Sequence, residues 1–209
     1  MDEFLNERDQ WERVLKWLRE QGPWALVSVA VVAAGYSGWH YWRARVEQRY
    51  VSAASRYEAI LEAFARSDFD AGLAQADGLV RDFPSSVYAD QANLAAARVQ
   101  VDHNALDKAA SRLSDVLGGT RDPELALIAR LRLARVQLAQ NKPDAALATL
   151  NAVNPGAFAA RFAQVRGDAF LAKGDRESAL KEYRTARASA DQTVDTGLLD
   201  LKIGELAHS

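Results

Sequence analysis

The first twenty residues place apolar and polar side chains with the period of an α-helix. Trp11, Leu15 and Leu18 recur at spacings of four and three, and charged side chains fill most positions between them. The pattern predicts an amphipathic helix over residues 3–20, lying on a membrane surface or against a protein partner. Gly22-Pro23 then predicts a break in the helix.

The next segment, residues 22–42, contains no charged residue. From Gly22 to Trp42 there is no Asp, Glu, Lys or Arg, and the middle of the stretch is apolar on every side of a helix. Twenty residues of helix rise about 30 Å, the thickness of a hydrocarbon core. Tryptophan and tyrosine stand near the ends, where amphipathic rings suit the headgroup layers. Residues 22–42 are therefore predicted to form one transmembrane helix, preceded by a segment over residues 1–21.

A buried core helix and a cleaved signal peptide are the alternatives for this stretch. A core helix of that length without charge is unusual, and a signal peptide has a shorter apolar region. Ala30, Ala34 and Gly38 form a stripe of small residues, which predicts close packing against another transmembrane helix. Four basic residues precede the span and four follow it, within about 20 residues on each side. The charge rule therefore leaves its orientation open.

Residues 43–209 keep helical spacing to the end of the chain, with Gly, Pro, Asn and Asp at the breaks. The run 96–101 matches the run 133–138 at an offset of 37 residues, and a third copy follows 33 residues later. The pattern predicts an all-α array of three to four helical hairpins. Residues 194–207 are predicted to close the array as a cap helix.

Each predicted hairpin carries small residues where its two helices face each other. A bulky side chain at such a position would push the helices apart. Gly72 is the matching position in a degenerate first copy of the repeat. The predicted repeat-packing residues are Ala97, Ala109, Ala134, Ala146, Gly167 and Ala179.

Composition supports this picture and excludes several classes of protein. Alanine makes up about a fifth of the chain and proline only 5 residues, which favours packed helices. The 26 Lys and Arg against 28 Asp and Glu give no basic field for nucleic acid. There is no cysteine, and the three histidines lack metal-ligand spacing. Since the sequence also lacks phosphate-loop and nucleophile motifs, no enzyme, cofactor or metal is predicted.

The remaining candidate is a surface that binds peptide. In a helical-hairpin array, the first helix of each repeat lines a groove. Arg98 and Arg135 occupy equivalent positions in two repeats, so their guanidinium groups are expected to flank a peptide carboxylate or carbonyl. The alternative is that both are ordinary solvated arginines. The candidate groove residues are Gln91, Leu94, Arg98, Leu131, Arg135, Arg161, Gln164 and Asp168.

The last repeat copy, Gly174-Asp175 with Ala179, Tyr183 and Ala186, resembles the tetratricopeptide repeat. Its alternative is a generic array of helical hairpins, since two of the periods are longer than usual. At the scale of the whole chain, the sequence resembles the YfgM-like family, the ancillary SecYEG translocon subunits of Gram-negative bacteria. The marks of this resemblance are the N-terminal helix with Trp11 and the runs 38–42, 131–138 and 166–175.

The resemblance implies a single-pass protein of the bacterial inner membrane, with residues 1–21 in the cytoplasm and the tetratricopeptide-like domain, residues 43–209, in the periplasm. It also implies a scaffold or chaperone that assists newly translocated, unfolded proteins. The implied partners are the SecYEG translocon and a membrane-anchored, prolyl-isomerase-like chaperone of the PpiD type. No catalytic residue is implied.

Two other hypotheses stay open from the sequence. One is a membrane-anchored tetratricopeptide adaptor that faces the cytoplasm, because the charge pattern does not orient the span. The other is a coordinator of cell division or of the envelope that is released to the periplasm, which requires cleavage near Gly35. The side of the membrane that holds the C-terminus separates the first from the favoured hypothesis, and the intact N-terminus excludes the second.

Overall fold

A computed structural model describes residues 3–190 and 194–207. It leaves out the side chains of residues 3–15, 17–23, 25–29 and 44. Within the described residues, the secondary structure is helical throughout, with nine α-helices and one short 3-10 helix over Gly156–Phe158. The α-helices are α1 Glu3–Ala65, α2 Phe69–Asp82, α3 Val87–Asp102, α4 Leu106–Gly119, α5 Pro123–Ala139, α6 Pro143–Asn151, α7 Ala159–Ala172, α8 Arg176–Ala188 and α9 Thr196–Ala207.

The chain divides into two compact units, Met1–Val51 and Ser52–Ser209, and each is described by itself. In the first unit, the predicted break at Gly22-Pro23 is wrong, because α1 continues through both residues. Proline removes one N–H donor from a helix, and the hydrogen bonds on either side of it hold the helix together.

The predicted transmembrane segment is helical in this first unit. None of the helical segments that the structure describes combines the length and the apolar character that crossing a bilayer requires. The side chains of residues 25–29, in the predicted span, lie outside the described residues. The small residues Ala30, Ala34 and Gly38 are exposed, and a Cβ added to Gly38 would meet no atom within 4 Å.

The second unit is a series of helical hairpins, and the two helices of each hairpin are joined by a turn of the same form. Each turn has three residues, and its middle residue adopts a left-handed backbone, with φ of 61° at Ser67, 57° at Asn104, 58° at Asn141 and 81° at Gly174. The N–H of the residue after it always donates to a carbonyl five positions back, as Asp175 donates to Phe170. This is the Schellman closure of a helix end, and it occurs four times.

The connections between hairpins differ in length, whereas the turns within hairpins all have three residues. Residues 83–86, 120–122 and 152–158 join successive hairpins, so these connections have four, three and seven residues. The helix α6 has only 9 residues and α7 has 14, compared with 14 in α4 and 17 in α5. The short helices explain why the third repeat copy follows after 33 residues instead of 37.

The core of the second unit consists of four apolar clusters that follow one another along the array. Each cluster is built from three consecutive helices, beginning with the end of α1, α2 and α3 and finishing with α7, α8 and α9. Neighbouring clusters share a helix, so every hairpin is packed against the next one. The largest buried side chains are Tyr183, Phe162 and Ile60. The second unit is thus an all-helical repeat solenoid that α9 closes.

Candidate protein-interaction surface

The predicted repeat-packing positions lie inside the hairpins. Ala97 is 2% exposed, and Ala109, Ala134, Ala146 and Ala179 have no exposed surface at all. A Cβ added to Gly167 would lie 2.5 Å from Cε1 and 2.6 Å from Cδ1 of Tyr183. At this position the backbone of α7 touches the Tyr183 ring from α8 directly, which only glycine permits.

The Tyr183 side chain also fixes a carboxylate of the predicted groove. Its hydroxyl donates a hydrogen bond of 2.7 Å to Oδ1 of Asp168, and Lys202 of α9 pairs with the same oxygen. The Lys202 ammonium lies 5.1 Å from the centre of the Tyr183 ring. Burial, followed by the hydrogen bond to Asp168, raises the pKa of the Tyr183 hydroxyl far above its usual range, so it stays a donor.

Two adjoining pockets lie along the first helices of the hairpins. One has a volume of 270 Å³ and lies between α3 and α5 over an apolar floor. The other has a volume of 510 Å³ and extends toward Tyr57, Leu61 and Phe64 of α1, within the second unit. Both pockets are lined by Arg98 and Arg132. The residues lining the smaller pocket are Ala97, Arg98, Val101, Leu113, Arg132, Arg135, Val136 and Ala139.

Four arginines, Arg98, Arg132, Arg135 and Arg161, form what we name the arginine face. Partial desolvation lowers the pKa of Arg132, and the charge of Arg98 lowers it further. Desolvation likewise lowers the pKa of Arg135; Asp168 opposes the shift, while Arg161 and Arg132 add to it. The guanidinium groups of Arg132 and Arg135 nevertheless remain charged, because arginine does not deprotonate in proteins. The arginine face is therefore a surface of mutually repelling positive charges.

These arginines have few partners of their own. Within the described residues, Arg135 has neither a hydrogen bond nor an ion pair, and the charge of Asp168 acts on it without direct contact. Arg132 donates one bond of 3.4 Å to the backbone carbonyl of Leu94. Arg98 lies 3.9 Å from Asp102, and both of these side chains are largely exposed. An exposed ion pair of this kind contributes little to the stability of the fold. Arg161 lies 5.7 Å from the centre of the Phe158 ring.

The predicted groove residues fall into three groups. Arg98 and Arg135 are exposed and line the smaller pocket together. Gln91, Arg161, Gln164 and Asp168 are half-buried. Leu94 and Leu131 are 6% and 5% exposed, and both pack into the apolar clusters. Whether this set binds peptide stays a prediction.

Sequence reasoning missed Arg132 and Tyr57, which line the pockets beside the predicted residues. Arg132 precedes Arg135 by three positions in a helix, so both side chains share one face. From that spacing, Arg132 could have been predicted to lie beside Arg135. Tyr57 lies in the last turns of α1, and no copy of the repeat motif marks that segment.

Comparisons with known proteins agree with this architecture. A family model described as a tetratricopeptide repeat-like domain matches residues 15–208. The ancillary SecYEG translocon subunit of Escherichia coli strain K12 is 31% identical over 207 residues, covering 99% of this chain and 100% of that protein. Proteins of the same name from Neisseria gonorrhoeae and Haemophilus influenzae are 29% and 27% identical, with coverage of 97% or more of both chains.

Two solved structures share the fold. The MamA 41-end structure from Desulfovibrio magneticus RS-1 has a TM-score of 0.57 and 16% sequence identity, and the match covers 75% of this chain and 89% of MamA. A MamA RS-1 double mutant gives the same score and identity and covers 94% of its own chain. At this level of identity the likeness concerns the fold alone. Because the family model and the relatives span nearly the whole sequence, this chain belongs to the tetratricopeptide repeat-like family of the ancillary SecYEG translocon subunits.

Proposed function

We propose that this chain is a non-enzymatic scaffold that associates with the SecYEG translocon. The observation that carries the proposal is the near full-length similarity to three relatives that all bear the name of an ancillary SecYEG translocon subunit. The helical-hairpin array supports it, since arrays of this kind use an extended surface to bind protein segments.

The anchor of this scaffold is the charge-free helix over residues 22–42. Its support is the absence of charge over 21 residues and the aromatic side chains near both ends. Trp24 is 73% exposed, and Trp39 and Trp42 are each 60% exposed. Such exposure of large rings in water is unfavourable, whereas the headgroup layer of a membrane accommodates it. The hairpin domain is assigned to the periplasm and residues 1–21 to the cytoplasm.

The arginine face and the two pockets beside it are the proposed surface for protein segments. Through it, the chain contacts proteins that emerge from the channel and acts as a chaperone for them while they are unfolded. A prolyl-isomerase-like chaperone of the PpiD type is the proposed second partner. The support for this surface is its position along the first helices of successive hairpins, together with the charge of Arg135, which no ion pair among the described residues neutralises.

Copurification tests the association with the translocon. A tagged full chain is expressed at native level in its host and purified from detergent-solubilised membranes, and SecY, SecE and SecG are quantified by mass spectrometry. A matched control carries the same tag on an unrelated single-pass inner-membrane protein. Enrichment of the three subunits over that control supports the proposal, and equal recovery from both overturns it.

Single-cysteine labelling tests the topology without interference, because the chain has no cysteine. Ser111 is exposed on α4, so Ser111→Cys reports the hairpin domain, and Gln10→Cys reports the N-terminal segment. A membrane-impermeant maleimide added to cells with a permeabilised outer membrane is expected to label the first variant only. Labelling of the second variant alone would overturn the periplasmic assignment in favour of a cytoplasm-facing adaptor.

A further inference from the structure

We propose that the smaller pocket between α3 and α5 binds a short acidic segment of a protein, with an apolar side chain on its floor and the neighbouring carboxylate against Arg98, Arg132 and Arg135. This inference rests on the proposed function, because it names the chemistry of the segment that the scaffold binds. The occupant is a segment in which the carboxylate of an acidic side chain stands next to an apolar side chain.

The floor of the pocket accounts for the apolar half of the ligand. Ala97, Val101, Leu113, Val136 and Ala139 line it, and its volume is 270 Å³. Small side chains at two of these positions leave room above the packed helices. An apolar side chain that enters such a pocket removes its own surface and that of the floor from water, which favours binding.

The rim of the pocket accounts for the acidic half of the ligand. Three guanidinium groups stand around one opening, and two of them have pKa values lowered by desolvation and by neighbouring positive charge. A bound carboxylate relieves this repulsion and accepts charge-assisted hydrogen bonds, for which the planar guanidinium is well suited. Arg135, which has no hydrogen bond or ion pair within the described residues, is the donor with most to gain.

The acids that the structure describes beside the rim are Asp102 and Asp168. Asp168 is the acid whose charge acts on Arg135, but its Oδ1 already accepts from Tyr183 and pairs with Lys202. Asp102 lines the larger pocket, and its Oδ2 lies 3.9 Å from Nε of Arg98, but both side chains are largely exposed, so this ion pair is weak. The charge of Arg132 and Arg135 is therefore available to a ligand, and the charge of Arg98 is only weakly compensated.

The larger pocket gives the segment a direction. It shares Arg98 and Arg132 with the smaller pocket and continues past Gln91 to Tyr57 of α1. A segment that begins at the smaller pocket thus passes along the rim and continues over α3. Both pockets lie in the second unit, Ser52–Ser209.

Fluorescence anisotropy with designed peptides tests this inference on the full chain in detergent. The probe is a fluorescein-labelled peptide, Gly-Ser-Gly-Ser-Asp-Glu-Leu-Glu-Leu, with a free C-terminus. Companion peptides replace the acids by lysine, replace both leucines by serine, or carry a C-terminal amide. We expect the acidic probe to bind, and its affinity to fall with rising salt. The lysine and serine peptides are expected to bind at least tenfold more weakly. The amide peptide is expected to bind within twofold of the probe, because it keeps every acidic side chain, and loss of binding with the amide would contradict the assignment of the carboxylate to a side chain.

Matched variants locate the site. The double variant Arg98→Gln, Arg135→Gln is expected to weaken the probe at least tenfold. The control Arg121→Gln, Arg184→Gln makes the same change in charge at exposed positions outside both pockets and is expected to leave affinity within twofold. Ala139→Trp plugs the pocket from an exposed position and is expected to abolish binding while the circular dichroism spectrum is retained.

Equal binding of the acidic and the lysine peptides, or equal losses in the arginine variant and its control, would overturn the inference. The same variants are carried through the SecYEG copurification. Enrichment of SecYEG without any binding of the acidic probe overturns this inference alone. Binding of the probe without enrichment of SecYEG overturns the proposed association and leaves the peptide site standing.

Discussion

Gly167 has no Cβ, and this allows α7 to pack directly against the Tyr183 ring of α8. The ring of Tyr183 lies where a Cβ would stand, and the buried hydroxyl of that ring is held by Asp168. The ring is fully buried and bonded at its far end, so it has little freedom to move away. Sequence reasoning identified Gly167 as a small packing position. It did not identify the partner of Asp168, because Lys202 comes from another helix 34 residues away.

Gly167→Ala is therefore expected to destabilise the protein. Overpacking costs about 1–3 kcal/mol, and the better helix propensity of alanine returns up to about 1 kcal/mol. The expected net loss in the free energy of unfolding is therefore roughly 0–2 kcal/mol, and Gly167→Ala is expected to be less stable than its control, measured by urea unfolding followed by circular dichroism. Gly204→Ala is the matched control in α9, because a Cβ there meets no atom within 4 Å. If both variants gain stability equally, the contact with Tyr183 does not constrain the fold.

At the scale of elements, sequence reasoning located the turns well and the connections between hairpins less well. Asn104, Asn141 and Gly174 are residue types that tolerate a left-handed backbone, and all three stand at the predicted breaks. The 3-10 helix over Gly156–Phe158 and the shortness of α6 were not predicted. These depend on how α7 packs against its neighbours, which one sequence does not reveal.

The last residue of each three-residue turn has a similar backbone conformation in all four turns. In only two of the four does its side chain cap the helix that follows. Asp68 and Asp175 accept hydrogen bonds from the first turns of α2 and α8, whereas Ala105 caps α4 with no side-chain bond. Ala105→Asp is therefore expected to stabilise the protein by about 1 kcal/mol in thermal or urea unfolding. Ala105→Asn is the uncharged control and is expected to give a similar gain. No gain from either variant would contradict the equivalence of the four turns.

The small buried residues between the two helices of a hairpin leave no room for a larger side chain. Ala146 has no exposed surface and packs in one cluster with Leu131, Ala134 and Phe162. Ala146→Phe is expected to lower the free energy of unfolding by about 1–3 kcal/mol or to prevent folding, since α5 and α6 would have to separate. Ala148→Phe places the same side chain at an exposed position of α6 and is the control. Unchanged melting temperature for Ala146→Phe would contradict the alignment of the repeats.

At the scale of the whole molecule, three unlike parts were visible in the sequence: a charged head, a stretch without charge and a neutral repeat domain. The repeat domain could be predicted because small residues recur at the same buried positions of successive hairpins. The arginine face was only half predicted, since Arg132 and Tyr57 stand outside the repeat motif. Its electrostatics depend on distances between helices, which the spacing of residues within one helix does not fix.

A fragment of residues 52–209 is expected to fold without the preceding segment. The four apolar clusters all lie in this unit, beginning with Ile60. The expected result is a helical circular dichroism spectrum with a single cooperative thermal transition. A fragment of residues 87–209, which lacks α1 and α2, serves as the comparison and is expected to melt at lower temperature because the first cluster is lost. A non-cooperative transition of the longer fragment would contradict this prediction.

The contrast between invariant turns and variable connections has a practical consequence for anyone who wishes to place a probe in this protein. A turn that closes a hairpin has three residues and one left-handed position, so an inserted peptide would break the closure. The seven-residue connection over residues 152–158 also has a left-handed residue, Gly156, but among the described residues no N–H in it donates to a carbonyl five positions back. Val153 and Phe158 of this connection pack against the neighbouring apolar cluster, whereas Ala152, Asn154 and Ala157 are exposed. An affinity tag or a fluorescent amino acid introduced at one of these exposed positions is expected to leave the hairpins intact and both chain termini unmodified.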